Sequence, residues 1–288
     1  MSDALAPNEF DGVFAKNARG KPENGSFGQN LRRIGSGAAG SGAVDLIVLA
    51  GGRGNRLGGA VKPAVDVAGR TLLSRVLDAR ALARRVVVVG PASAHAAASP
   101  ETTGVLWTLE DPPFGGPVAG IAAGLRALAE ADATPENPPG AGAGAEAMMA
   151  PEPAEWLLVL ACDLPWAADA ATTLIAALAD PPRPDPTGPG VAGTDTLDGL
   201  YLSDPDGHAQ WLAGIYRAAA LRDAVGRLGP AVNGASMRAL LAGLRLAAIP
   251  DNADSGRDVD TWQDVEWSTA LLSGTSPISS TPPRSDTE

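Results

Sequence analysis

A chain of 288 residues with 45% hydrophobic and 19% charged side chains has the apolar content to bury a full core and a length that suits one or two domains. Its formal charge of -11 and pI near 4.7 give an average surface that repels a phosphate backbone, which excludes non-specific nucleic-acid binding; the single cysteine, Cys162, excludes an intrachain disulfide and a zinc cage of cysteines. No run approaches the ~18 apolar residues of a membrane span and the first thirty residues hold no apolar leader core, so a cytoplasmic protein without membrane attachment is expected.

Residues 1–42 are rich in Gly, Asn and Ser and lack apolar periodicity, which predicts a disordered extension. One catalytic domain is expected over 43–272. It opens on a buried strand, Asp45–Leu49, followed by a turn holding Gly51, Gly52, Arg53, Gly54, Asn55, Arg56, Leu57, Gly58 and Gly59. Next come a helix over Leu72–Ala83, a strand over Arg85–Val89, a short alanine-rich segment near His95 and a strand over Val105–Leu109. The helix Pro117–Glu130 carries a one-sided stripe of Val118, Ile121, Leu125 and Leu128, and Pro117 suits its first turn, where the missing N–H would be unpaired anyway.

Residues 132–154, in which Pro138 and Pro139 lead into alternating Gly and Ala, predict a flexible surface insertion. A strand at Trp156–Ala161 and a helix at Asp169–Ala179 precede a proline-rich connector, Asp180–Pro189. Beyond Val191 the pattern changes: Leu200–Leu202 and Trp211–Tyr216 flank the turn residues Asp204, Pro205, Asp206 and Gly207, which reads as a hairpin. Ser236 and Thr261 stand as N-caps of helices reaching about Ala242 and Leu272, around a strand at Leu244–Ile249. Residues 273–288, rich in Ser, Thr and Pro, predict a disordered tail. Together these elements predict an α/β chain: a Rossmann-like three-layer domain with a mostly parallel mixed sheet and an antiparallel C-terminal portion.

The turn after the first strand carries the strongest chemical signal. Glycine reaches positive φ without a Cβ penalty, so successive N–H groups can turn onto an anion, while Arg53, Arg56 and Lys62 supply charge within ten residues. A phosphate cradle is expected, with Leu49, Ala50, Gly51, Gly52 and Lys62 against a nucleotide. It is not the ATPase type, which needs Gly-Lys followed by Ser or Thr, because Lys62 stands between Val61 and Pro63. Nor is it the dinucleotide fingerprint: the third glycine position is Leu57, and no helix runs through Gly58 and Gly59 to Pro63.

Ligands of open α/β sheets bind beyond the carboxyl ends of the strands. The second strand ends at Gly90 and Pro91, which offer backbone only. The third leads into Glu110, Asp111, Pro112, Pro113, Phe114, Gly115, Gly116 and Pro117. Asp111 and the carbonyls near Gly115 to Pro117 offer hydrogen-bond acceptors to a bound nucleotide; a plain loop and helix start explain the same residues. The fourth strand delivers Asp163 after Cys162. Magnesium takes oxygen ligands, one or two carboxylates plus substrate phosphates, so Asp163 is the candidate metal ligand, although such an Asp serves equally as a turn former. Cys162 reads as a buried thiol, and His95 and His208 have no metal-ligand spacing.

Leu49 to Gly58 followed by Lys62 and Pro63 resembles the nucleotidyltransferase signature Leu-Ala-Gly-Gly-x-x-x-Arg-Leu/Met-Gly. Asp111 with Gly116, Pro117, Val118, Ala119 and Gly120 resembles a segment of the molybdenum cofactor guanylyltransferases, and Cys162 to Pro165 is similar to the motif in which that family carries its magnesium aspartate. Trp211–Arg217 and Asp258–Asp264 match in outline, so the likeness spans roughly Val44 to Trp267. The chain departs from the family at Gly90 and Pro91, where an Asn commonly meets the nucleotide, at Trp262 in place of a proline, and in the spacing before Lys62.

The resemblance implies transfer of GMP from GTP to molybdenum-molybdopterin with release of pyrophosphate. It implies Mg²⁺ on Asp163, catalytic roles for Lys62, Arg56 and Arg53 around the phosphates, and molybdoenzymes or their chaperones as further partners. Asp260 is placed at the acceptor or a second metal contact, while Thr261 as an N-cap explains that segment equally well. Two rivals stay open: another NTP transferase using CTP or a sugar 1-phosphate, and a non-catalytic nucleotide-binding regulatory domain.

Overall fold

A strand buried along its whole length needs cover on both faces of its sheet. Val44–Leu49 is such a strand, β1, inside a seven-stranded sheet of the computed structural model, which describes residues 43–52, 57–98, 102–133, 153–182 and 196–275. A two-residue ribbon, β2 (Asp66–Val67) against β3 (Arg70–Thr71), lies apart from it. In sheet order the seven strands are β5 (Val105–Thr108), β4 (Val86–Val89), β1, β6 (Trp156–Ala161), β8 (Ala209–Arg217), β7 (Gly199–Ser203) and β9 (Leu246–Pro250). Leu46 faces Val86 on one side and Leu158 on the other, both in parallel register.

The expected hairpin is β7 and β8, and β8 also pairs antiparallel with β6. Strand β9 then adds parallel to β7, so β8 alone runs against the others. The mostly parallel mixed sheet is therefore as expected, with the antiparallel part confined to one strand.

Alternation along β1 sends Leu46 and Val48 into one apolar cluster and Ile47 and Leu49 into another. The first cluster is covered by α1 (Leu72–Val76), the 3₁₀ turns of Leu77–Leu82, the single turn α2 (Ala92–His95) and, further on, α4 (Ala167–Ala177). The second is covered by α3 (Gly116–Ala133), α5 (Ala218–Leu228) and α6 (Met237–Leu241). All four stripe residues of α3, Val118, Ile121, Leu125 and Leu128, are buried. These are the three layers. The last helix, α7 (Trp262–Leu272), follows β9 and starts with a capping box in which Thr261 and Asp264 exchange side-chain-to-backbone bonds. Among the described residues no helix is long and apolar enough to cross a membrane.

The helix expected at Asp169–Ala179 is α4, two residues earlier at each end, and two others differ from expectation for local reasons. The segment expected as one helix, Leu72–Ala83, tightens to 3₁₀ after Val76. There Arg70 donates to the Ser74 carbonyl (2.7 Å), the acceptor an α-helix would use for the N–H of residue 78. Helix α3 runs past Glu130 because Asp132 is held by Arg84 (3.3 Å) and Arg85. The expected extension over 1–42 lies outside the described residues, as do 134–152 of the insertion, 183–189 of the connector and 276–288 of the tail.

The strand ends that frame the site are packed backbone to backbone. Ala50 donates to Val89 (2.8 Å) and Gly90 to Thr108 (2.9 Å), which brings Gly90 directly under the chain entering the glycine turn. A Cβ at Gly90 would lie 2.9 Å from the Ala50 carbonyl oxygen. Gly90→Ala is expected to cost about 1–3 kcal/mol of stability by overpacking. Chemical unfolding reads it, and an unchanged midpoint would remove the close-approach account.

Candidate active site

Past Ala50 the chain leaves β1 through Gly51 and Gly52, and Gly52 sits at φ 134°, a backbone region that side chains rarely permit. Leu49 and both glycines border a cavity of about 480 Å³, whereas Ala50 is buried behind it. Arg53 and Arg56 lie outside the described residues. The chain returns at Leu57, whose buried side chain packs with Val65, Val67, Leu72, Val259 and Val265. That apolar knot fixes the base of the short 3₁₀ turn Lys62–Ala64.

Lys62 faces two carboxylates. Its Nζ lies 2.6 Å from Asp163 Oδ2 and donates to Asp260 Oδ1, with the lysine and Asp163 side chains only 16% and 17% exposed. Burial works against the ammonium charge, but Asp163 and then Asp260 outweigh it, so the Lys62 pKa is raised. The lysine is cationic at any physiological pH.

Asp163 is delivered by β6 through Cys162, whose N–H donates to the Leu49 carbonyl (3.0 Å). Burial pushes the Cys162 thiol far up, which makes it inert as a nucleophile. The other acidic segment comes from the far end of the chain. The Val259 N–H donates to the Asp163 carbonyl (3.0 Å) while its side chain enters the apolar knot beside Leu57. Alternation about Val259 brings Asp258 and Asp260 to the same side, and carboxylate oxygens of Asp163, Asp258 and Asp260 lie within 4.8 Å of one another.

The chain on either side of this segment is tied down. Asp251 accepts from the Ser255 N–H and hydroxyl (both 2.9 Å) and from the Gly256 N–H (2.6 Å). Buried Arg257 stacks 4.3 Å over Trp267 and meets Asp264 at 3.5 Å. Asp264 also accepts from the Thr261 N–H (2.8 Å), so the capping box and the placement of Asp260 beside Lys62 coexist. The two explanations of this segment are compatible.

Three carboxylates this close repel one another. Burial first, then the charges of Asp163 and Asp260, push Asp258 up to about 7 against the opposing pull of Lys62. Asp163 Oδ1 is buried and has no hydrogen-bond partner among the described residues, a condition costing about 1–3 kcal/mol. A hard divalent cation fits this donor set: all oxygen, several carboxylates, and one acceptor that the protein leaves unpaired.

The residue expected to meet a base, Asp111, is exposed, and its neighbour Glu110 borders the cavity near Gly51. Glu110 is 8% exposed, and its Oε1 accepts the Phe114 N–H (3.1 Å). Leu109 and Asp111 are exposed on either side of it, the alternation of an extended chain leaving a strand. Asp258 and Glu110 thus join the constellation without having been assigned roles from sequence. Spacing about Val259 and parity after β5 were the available signals.

Solved structures share this fold. Molybdopterin-guanine dinucleotide biosynthesis protein A from Archaeoglobus fulgidus is 18% identical, with a TM-score of 0.53, covering 80% of this chain and all of that one (100%). The 4-diphosphocytidyl-2C-methyl-D-erythritol synthase from Anaerococcus prevotii is 12% identical, with a TM-score of 0.51 over 81% of this chain and 100% of that one. At such identities the likeness establishes the fold alone. No curated protein matches the chain in sequence. A family model, that of the MobA-like NTP transferase domain, matches residues 46–249, from β1 through β9 and across most of the elements that build the cavity. By that match the chain belongs to the MobA-like NTP transferase family and is a nucleotidyltransferase by family.

Proposed function

We propose that this protein transfers GMP from GTP to the terminal phosphate of molybdenum-molybdopterin and releases pyrophosphate. The observation that carries the reading is the meeting of Lys62 with Asp163 and Asp260 beside a cavity bordered by Gly51 and Gly52. Support for the acceptor and the base comes from the segment Gly116 to Gly120 noted in the sequence, and from the shared fold of the molybdopterin-guanine dinucleotide biosynthesis protein A from Archaeoglobus.

In this mechanism an oxygen of the acceptor phosphate attacks the α-phosphorus of GTP, and the bond to the β-phosphate oxygen breaks. The attacking phosphate is already ionised, so no general base is required. The protein's part is to position the partners and neutralise charge around phosphorus. The N–H groups of Gly51 and Gly52 hold phosphate oxygens, and Lys62 donates to the α-phosphate as charge develops there. Arg56 assists it, and Arg53 holds the leaving pyrophosphate. Asp163, with Asp258 and Asp260, would hold Mg²⁺, which when bound neutralises phosphate oxygens. Asp260 would also meet the acceptor.

Pyrophosphate release tests this directly, with GTP, CTP, UTP and ATP in turn, magnesium, and either molybdenum-molybdopterin or a sugar 1-phosphate. Release is expected with GTP and molybdenum-molybdopterin alone. Release with CTP, or with a sugar 1-phosphate, would replace the base or the acceptor. Binding of GTP without release under either acceptor would make the protein a regulatory domain.

A further inference from the structure

We infer that Arg257 is a positioning residue: through Trp267 and Trp166 it sets the spacing between Asp163 and the pair Asp258 and Asp260. The inference rests on the nucleotidyl-transfer reading, in which these three carboxylates hold the divalent cation, and adds the group that keeps them in place. Oxygens of the three lie within 4.8 Å of one another, yet they come from two segments far apart in the chain. Like charges so close repel, so contacts behind them must oppose their spreading. The bond from the Val259 N–H to the Asp163 carbonyl is one tie between the segments. A single tie fixes a distance but leaves both segments free to turn about it. A second contact, displaced along both chains, removes that freedom.

Arg257 supplies that second contact. It alternates with the acidic pair and is buried like Val259, the two side chains being 3% and 0% exposed. Its guanidinium stacks 4.3 Å over Trp267, and Trp267 meets Trp166 edge-on with ring centroids 5.9 Å apart. Trp166 stands three residues past Asp163, at the start of α4, so the stack reaches the segment that delivers that carboxylate. The same guanidinium lies 3.5 Å from Asp264. Asp264 in turn accepts from the Asp260 N–H (3.3 Å) as well as from the Thr261 N–H (2.8 Å), which ties Arg257 to the backbone of the other segment. One planar group therefore braces both segments from behind. Asp254, at 3.4 Å, and Asp264 together meet its charge. A lysine in its place would keep a cation there, but an ammonium cannot lie flat on an indole while reaching two carboxylates.

The test is titration of the full chain with Mn²⁺ in the presence of GTP, followed by the paramagnetic signal of the ion. The proteins are the wild type, Arg257→Lys, Trp166→Leu and the double variant. Lysine keeps a cation near Asp254 and Asp264, whereas Trp166→Leu leaves Arg257 with both carboxylates and removes the ring that meets Trp267. Thermal unfolding verifies that each protein is folded at the temperature of the titration. Loss of the groups that orient metal ligands weakens metal binding about 10- to 100-fold, and each single variant is expected to show that loss. The double variant should lose no more than about threefold beyond the weaker single, because both substitutions cut the same stack. Pyrophosphate release gives a second readout. The Mg²⁺ concentration at half-maximal rate should rise by the same factor as the Mn²⁺ dissociation constant, while the rate at saturating Mg²⁺ stays within about threefold of wild type. An unchanged Mn²⁺ affinity in either folded single variant, whatever its unfolding midpoint, would make the stack a matter of stability alone and overturns the inference. A saturated rate that falls with no change in the Mg²⁺ requirement overturns it too, as do losses that multiply in the double variant. If Arg257→Lys does not fold, Trp166→Leu alone decides. Unchanged affinity beside normal pyrophosphate release by the wild type would remove this inference and leave nucleotidyl transfer standing. A wild type that neither binds Mn²⁺ nor releases pyrophosphate would remove both.

Discussion

Asp163→Ala is expected to lower magnesium-dependent pyrophosphate release by at least about 100- to 1,000-fold, the loss that follows removal of a preorganised charge-stabilising group. The same variant should fold as well as the wild type. Asp163 Oδ1 is buried without a partner among the described residues, so its removal relieves an unmet acceptor, and Lys62 retains Asp260. One of three mutually repelling carboxylates is also gone. The two effects offset the lost contact with Lys62, and the unfolding midpoint is expected to stay within about 1 kcal/mol of wild type. Titration with Mn²⁺, followed by its paramagnetic signal, gives an independent readout: binding in the presence of GTP should weaken at least about tenfold, the scale of losing one metal ligand or its support. Full turnover in this variant would remove the assignment of Asp163 to the metal.

What could be read from the chain follows the range of the interactions involved. Strands β1, β4 and β6 announce themselves because both faces are covered, and the α3 stripe because one face is; each is a local consequence of burial. Ser236 and Thr261 cap helices through bonds spanning three residues, so their places were legible too. The ribbon of β2 and β3 is two residues wide and has no periodicity to read. The 3₁₀ turns after α1 depend on where one arginine side chain lands, which no propensity scale contains. At the site, Asp163 stood out because an apolar strand ended on it. Lys62 stood out in its own turn, and the resemblance pointed to Asp260; that the two meet was not legible, since they are 198 residues apart and come together through the backbone bond from Val259 to Asp163. Asp111 was named for its carboxylate; that it is exposed while Glu110 beside it is buried depends on parity along the chain leaving β5, which residue type does not announce.

Lys62→Met is expected to separate two functions of one ammonium group. In turnover the lysine should matter in the transition state more than in the ground state, so the rate falls by about 100-fold or more while GTP affinity falls less than about tenfold. Its second function is electrostatic and independent of turnover. Two like charges about 4.8 Å apart, the limit on the separation of the Asp163, Asp258 and Asp260 oxygens, repel by ~3 kcal/mol at an effective dielectric of 20, and Lys62 is the cation set against that repulsion. Without it the folded state should lose about 3 kcal/mol, as when one partner of a buried pair is removed. A divalent cation can then replace the missing charge on the same oxygens, so millimolar Mg²⁺ or Mn²⁺ should restore most of the lost stability, by mass action on the native state. Wild type, in which the ammonium competes for those oxygens, should gain much less from the same ions in the absence of nucleotide. Thermal unfolding of both proteins with and without the cation decides the matter. If Lys62→Met is as stable as wild type, or gains no more from the cation, the lysine is not the counter-charge of the aspartate cluster, and its place there is owed to packing.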